Sequence, residues 1–236
     1  MSVLNILFVG SDEIARSIAK KSDSRDVDNY IYKDLKEGGL FSTISILRPN
    51  NYPDKPKPFF TSLTVSDFGI IEVNKVDGSF GEVIVSMASA GIKDGLVIIN
   101  PSEGEWVDDS QVKTLLQQAG LSNWEFIEND GILIREKLIE VLNQIKPNED
   151  DGFVVAVDQA FTVKGVGLVA IGHVQSGKVN KHDELILAGS EGNAIARSLQ
   201  VMDLDVDVAN VGDRVGLAMR TAGPFREDLL GKGSIL

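Results

Sequence analysis

The sequence contains no cysteine, which excludes a disulfide framework, a thiolate metal centre and a cysteine nucleophile, and makes the cytoplasm the expected location. It has no stretch approaching the ~20 apolar residues that a membrane helix requires. The longest N-terminal apolar run, Val3 to Val9, lacks a basic flank and a small-residue cleavage site, so it reads as a strand and not as a signal peptide. No membrane association is expected. Basic residues are in the minority, 23 Lys and Arg against 35 Asp and Glu, for a net charge of −12. A general basic field that would coat DNA is thereby excluded, and any nucleic-acid contact must come from a local patch. Histidine is nearly absent: both copies lie beyond residue 150.

What remains is the composition of a soluble globular chain, with 43% hydrophobic and 25% charged residues. At 236 residues the chain is near the size at which one core stops growing, so two domains are expected. Residues 1–146 alternate short apolar runs with helical patterns, as in an α/β domain with a largely parallel sheet. Leu4 to Val9 predicts a first strand, and Ile14, Ala15, Ile18 and Ala19 recur at helical spacing behind it. Further strands are expected over 41–47, 59–65, 70–76, 96–100 and 124–128. Four of the seven prolines, Pro49, Pro53, Pro56 and Pro58, make a stiff loop between the first two of these. Helices are expected over 81–90, from a cap among Asp108 to Ser110 to Gly120, and from Ile132 to Ile145, with Pro147 ending the last.

Residues 147–152, rich in acidic residues with one proline and one glycine, read as a linker. The texture then changes. Residues 153–236 place short Val, Ile and Leu runs between glycine turns, and the final 86 positions hold 12 of the 23 glycines, an all-β barrel pattern. The net charge is −9 over 1–150 and −3 over the rest.

Residues 161–187, FTVKGVGLVAIGHVQSGKVNKHDELIL, resemble the opening hairpin of the second domain of translational GTPases of the elongation factor Tu and SelB type. Gly165, Gly167, Val169, Gly172, Val174, Gly177, Asp183 and Leu185 keep that family's frame. VGDRVGLAMR (211–220) and DLLGKGSIL (228–236) resemble its later segments. Glycines at such places suit bulges and barrel corners. The resemblance implies a P-loop GTPase-like first domain followed by a translation-factor β-barrel. The chain ends at Leu236, where that barrel's last strand is expected to end, so it is read as lacking the family's third domain.

A P-loop reads Gly-x-x-x-x-Gly-Lys-Ser/Thr between first strand and helix. The corresponding residues are Gly10, Ser11, Asp12, Glu13, Ile14, Ala15, Arg16 and Ser17. Ala15 replaces a glycine whose missing Cβ admits the phosphates, and Arg16 replaces the compact lysine ammonium. Ser17 keeps the magnesium-ligand type, while Asp12 and Glu13 add carboxylates where a triphosphate would lie. The plainer reading is that Gly10 closes a βα turn and Asp12 caps the helix. Asp77 stands for the family's Asp-x-x-Gly aspartate, with the glycine misplaced. Asn129 and Asp130 occupy the base-reading loop by order, without its lysine. Asn74 to Asp77 spells the guanine-reading Asn-Lys-x-Asp pattern in the wrong context.

In the barrel, the positions with which the family holds the aminoacyl end of tRNA are here Val166, His173, Gln175 and Arg220. Arg220 and Lys232 could hold a phosphate or make ordinary salt bridges. His173 reads as a strand-face residue and His182 as a turn residue facing solvent. Phe59 and Phe60 read as a buried strand start or a base-stacking pair. The resemblance thus implies a translation-factor-like protein with a decayed nucleotide site, acting on tRNA, ribosome or a translation protein, with no cofactor. The alternative is a GTPase with a variant loop, in which Gly10, Arg16, Ser17, Asp77, Asn129 and Asp130 hold GTP and magnesium and a partner activates hydrolysis.

Overall fold

The computed structural model describes residues 2–35, 41–144 and 152–236. The chain separates into two compact units, Met1–Ile145 and Lys146–Leu236. The linker expected over 147–152 lies outside the described residues except for Gly152, as do Ile145 and Pro147.

The first unit is built on a seven-stranded sheet. Its strands are β1 (Ser2–Val9), β2 (Lys20–Ser24), β3 (Val27–Leu35), β4 (Phe41–Pro49), β5 (Phe68–Val73), β6 (Gly95–Ile99) and β7 (Glu125–Ile127). They lie in the order β2-β3-β4-β1-β5-β6-β7. From β4 to β7 all neighbours are parallel, whereas β2 with β3 and β3 with β4 are antiparallel. β1 is central because its residues are apolar on both faces, as a strand covered on each side requires. Leu4, Ile6 and Phe8 pack with α1 (Asp12–Ile18) and α5 (Gly131–Gln144). Leu7 turns to the opposite face, toward α2 (Pro56–Leu63), α3 (Gly78–Ser89) and α4 (Asp109–Ala119). The result is a sheet between two helical layers.

Three expectations are corrected. Residues 59–65 form no strand: Pro58, Phe59, Ser62 and Leu63 are the buried stripe of α2, whose prolines sit in its first turn, where a missing N–H costs nothing. Phe59 is therefore buried and Phe60 exposed. The first sheet is mixed, because β2 and β3 form an edge hairpin. β2, KKSDS, alternates between exposed and half-buried and carries no apolar residue, so hydrophobic periodicity could not reveal it. The cap of α1 is Ser11, whose hydroxyl accepts the Ile14 N–H, and Asp12 is the first helical residue. The α4 boundaries follow the sequence signals: Asp108 accepts the Ser110 N–H, and Gly120 ends the helix at φ 87°.

The buried Trp124 shows why two strands carry glycine. Gly69 of β5 and Gly95 of β6 are directly paired, and a Cβ on either would press into the indole ring. Gly69→Ala should therefore destabilise the first unit by about 1–3 kcal/mol through overpacking. Denaturant unfolding followed by tryptophan fluorescence reads this, since both tryptophans lie in that unit.

The second unit is a β-sheet domain. Its strands are β8 (Val154–Val163), β9 (Gly167–Ser176), β10 (Lys178–Asn180), β11 (Glu184–Ile186), β12 (Asn193–Val201), β13 (Leu204–Val206), β14 (Val208–Asn210) and β15 (Arg214–Ala222). The main sheet runs β11-β12-β15-β9-β8, with β13 on β12, and β10 pairs with β14. The C-terminal residues return beside β8, with Val155 and Leu236 exchanging backbone hydrogen bonds. One core of Val, Leu and Ala side chains, among them Val157, Ala170, Leu199 and Leu217, fills the unit. Among the described residues no helix is long and apolar enough to cross a membrane.

Candidate functional site at the carboxyl edge of the first sheet

In open α/β sheets the ligand crevice lies beyond the carboxyl ends of the strands, where the winding reverses. Here that place lies beside β1, which has β4 on one side and β5 on the other. The loops after β1, β5 and β6 bring Gly10, Ser11, Asn74 and Asn100 together there.

At its centre is Glu72, a buried carboxylate in an otherwise apolar strand. One oxygen accepts the Ser11 backbone N–H at 2.5 Å. The other accepts the side-chain amides of Asn100 at 2.6 Å and Asn74 at 3.1 Å. Asn74 also donates to the Asn100 carbonyl at 2.8 Å. Burial alone would raise the Glu72 pKa, but the bonds from Asn100, Ser11 and Asn74 outweigh it and hold the carboxyl below its ordinary value. Gly10 is glycine because a Cβ there would meet the Phe8 ring and Glu72. An anion thus already sits at the amino end of α1, supplied by the chain itself.

A second network ties the edge hairpin to the same turn. Arg48 of β4 donates through Nε to the Gly10 carbonyl at 2.7 Å and through Nη1 to Asn50 at 2.8 Å. Its Nη1 also pairs with Asp28 at 3.2 Å, and Lys21 pairs with Asp28 at 2.7 Å. Asp12 accepts from the Tyr30 hydroxyl and pairs with Arg16 and Lys21. Those partners, Tyr30 first, hold the Asp12 carboxyl well below its usual range. Burial, with Asp12 beside it, raises Tyr30 to about 12.

The residues singled out in the sequence fall as follows. Gly10 and Asn74 lie at the crevice. Arg16 is exposed and engaged with Asp12. Ser17 is the sixth residue of α1, roughly 8 Å along the axis from its first. Its hydroxyl donates to the Ile14 carbonyl at 2.8 Å, and its backbone carbonyl accepts from Arg135. Asp77 caps α3, accepting the Phe80 N–H, and pairs with Lys75. Asp130 caps α5 through the Ile132 and Leu133 N–H groups, and Asn129 is exposed. The two aspartates are thus engaged as helix caps. Among the described residues no group of three His, Asp or Glu side chains is arranged to hold a metal ion.

In the second unit, Val166 is exposed at the β8–β9 turn, its carbonyl accepting from Arg197. Arg220 is exposed opposite Ile195. His173 is 5% exposed and paired with Ala156 and Arg214 across its neighbours. Burial, with Arg214 nearby, lowers it to about 4. Gln175 is exposed and His182 is exposed at φ 77°. By the β9–β15 register, Val166 and Arg220 sit at one end of the ladder and His173 and Gln175 at the other, about 20 Å away. They do not form one patch.

Glu72, Asn100 and Arg48 escaped the sequence reading. The signal for Glu72 was a lone carboxylate within FGIIEV, since a charge in a buried strand needs partners.

No protein-family model matches the chain. It is 31% identical over 231 residues to the uncharacterized protein MJ0325 of Methanocaldococcus jannaschii, covering 98% of this chain and 70% of that protein. It is 31% identical over 134 residues to the selenocysteine-specific elongation factor of Escherichia coli, 54% of this chain and 21% of that protein. Among solved structures, SelB from Methanococcus maripaludis in complex with the GTP analogue GPPNHP aligns with all of this chain and 55% of its own, with a TM-score of 0.74 and 21% identity. A bacterial selenocysteine-specific elongation factor aligns with 98% of this chain and 44% of its own, also at 0.74, with 18% identity. The chain thus spans about half the length of these structures. It belongs to the family of MJ0325 and is similar, in sequence and in fold, to the SelB translation elongation factors.

Proposed function

We propose that this protein is a translation-factor-like binding protein whose nucleotide crevice is closed by its own side chains, and that it engages tRNA, the ribosome or a translation protein through its surfaces. The observation that carries this reading is the Glu72 carboxylate on the Ser11 N–H. A phosphate at the start of α1 would meet a buried anion already bonded to the amide it needs, and like charges in a low-dielectric site repel strongly. The surroundings point the same way. Arg16 is held by Asp12, the Ser17 hydroxyl is spent inside the helix, and Ala15 is fully buried. These residues do not fit GTP with magnesium, and no hydrolytic step is assigned to them. The second unit acts, in this reading, as a translation-factor barrel, with Val166 and Arg220 at one end and Gln175 at the other offering separate contacts, while His173 is buried and offers none.

Calorimetric titration with GTP and GDP in magnesium tests the closed crevice. No heat is expected from the natural chain. Micromolar binding would overturn the reading and put a partner-activated GTPase in its place, an outcome given weight by the GTP analogue in the M. maripaludis SelB structure. Co-sedimentation with ribosomes and a tRNA mobility shift test the partner class. Failure of both, together with no recovery of a translation protein, would reject it.

A further inference from the structure

Two buried carboxylates of the first unit are held in different ways. Asp28 faces the cations Lys21 and Arg48. Glu72, 8% exposed, is held instead by neutral N–H donors from three separate loops, the Ser11 backbone amide and the side-chain amides of Asn74 and Asn100. Prearranged neutral N–H groups converging on one carboxylate are the chemistry of an oxyanion site. Gly10 completes the cradle: a Cβ there would lie 2.8 Å from the Glu72 Oε2, so glycine is what lets the backbone close on the anion.

Each donor is fixed by bonds that do not involve Glu72. The peptide unit that presents the Ser11 N–H is held at its other end, where the Gly10 carbonyl accepts from Arg48 at 2.7 Å. The Ser11 hydroxyl accepts the Ile14 N–H. Asn74 donates to the Asn100 carbonyl at 2.8 Å, and its own carbonyl accepts the Ser102 N–H at 3.2 Å. The Asn100 N–H bonds to the Val73 carbonyl at 3.0 Å. With the Glu72 carboxylate removed, three N–H groups would remain aimed at one space, and buried donors left without acceptors are costly.

We propose that the Ser11 N–H and the Asn74 and Asn100 side-chain amides form a site for a small oxyanion, filled by Glu72 as an internal ligand that excludes free carboxylate and phosphate from it. This deepens, and rests on, the closed-crevice reading. The site is closed by occupancy, and its chemical class is that of its occupant.

The test is rescue of Glu72→Ala. That change deletes Cγ and the carboxylate, the atoms that acetate returns. Urea unfolding of the full chain, followed by tryptophan fluorescence, is measured in sodium acetate, sodium phosphate and sodium chloride at equal ionic strength. At ten times its dissociation constant, the bound oxyanion should raise the folding equilibrium constant of the variant about tenfold over chloride. The natural chain should respond less than about twofold. The acetate and phosphate arms tell which geometry the cradle takes. Glu72→Gln, whose side chain still fills the space, should show no rescue. An equal effect of chloride, or equal rescue of Glu72→Gln or of the natural chain, would overturn the proposal. A second reading does not require the alanine variant to fold. In Asn100→Ala, carboxyl carbon NMR should find the Glu72 midpoint raised, because the first of the bonds that hold it down is gone; an unmoved midpoint would also overturn the proposal. Heat from GTP with the natural chain would reject the closed crevice itself. Silence of both oxyanions toward Glu72→Ala, with GTP silent toward the natural chain, rejects the oxyanion site alone.

Discussion

Replacing Asp28 by alanine should cost the first unit about 3 kcal/mol, the order found when one member of a buried ion cluster is removed and its partners are left unpaired. The side chain is 4% exposed and faces two cations, Lys21 at 2.7 Å and Arg48 at 3.2 Å. It also accepts from the Ser24 hydroxyl at 2.7 Å. Lys21 would keep Asp12, and Arg48 would keep the Gly10 carbonyl and Asn50, so the loss should stay below full exposure of two buried charges. The effect belongs to the pair. Lys21→Met in the Asp28→Ala background should cost less than it does in the natural chain, because the ammonium has by then lost Asp28 and keeps only Asp12. The exposed pair Arg226–Asp228 is the contrast: Asp228→Ala should leave stability nearly unchanged, because solvent screens the pair. Urea unfolding followed by tryptophan fluorescence measures Asp28→Ala, and circular dichroism follows the second unit. A cost under about 1 kcal/mol at Asp28 would mean that the β2–β3 hairpin is not anchored by this cluster.

The second unit should lose about 3 kcal/mol of stability as the pH falls from 6.5 to 4, from His173 alone. Folding lowers this imidazole from its ordinary 6.5 to about 4, through burial and then through Arg214. Between those values the unfolded chain holds a proton that the folded chain excludes, so acid favours unfolding. The contribution is full above 6.5, shrinks as the pH falls and is gone near 4. Each tenfold loss of proton affinity on folding is worth about 1.4 kcal/mol, and roughly 2 kcal/mol should be lost between pH 7 and 5, above the range where most carboxylates protonate. Asp213, buried on the adjoining turn, is raised by its own burial and opposes this trend at lower pH. His173→Leu should abolish the slope between pH 7 and 5. With only two histidines in the chain, proton NMR offers a direct reading: the His173 resonance should not move until the pH nears 4. A midpoint near 6.5 would refute the buried neutral state.

Much of the architecture was legible because it rests on local signals. The apolar run of β1, the helical spacing of Ile14, Ala15 and Ile18, the Asp108 cap and the Gly120 stop each depend on neighbours within a few residues. The change of texture near residue 150 is likewise compositional. The hairpin strand β2 was not legible, because an edge strand of Lys, Ser and Asp has no hydrophobic period. α2 was hidden because prolines that suit a helix's first turn look, in sequence, like a loop.

The sequence by itself determined an α/β unit followed by a glycine-punctuated β unit, because periodicity, caps and turn residues act at short range. Only the tertiary structure decided which of 35 acidic residues became the anion at the amino end of α1. Glu72 meets Ser11, Asn74 and Asn100 because strand order sets β5 beside β1 and β6. The β9–β15 register put His173 and Arg220 at opposite ends of one ladder. Charges and rings act on whatever the fold brings within a few ångströms, and that distance is written in no local stretch of sequence.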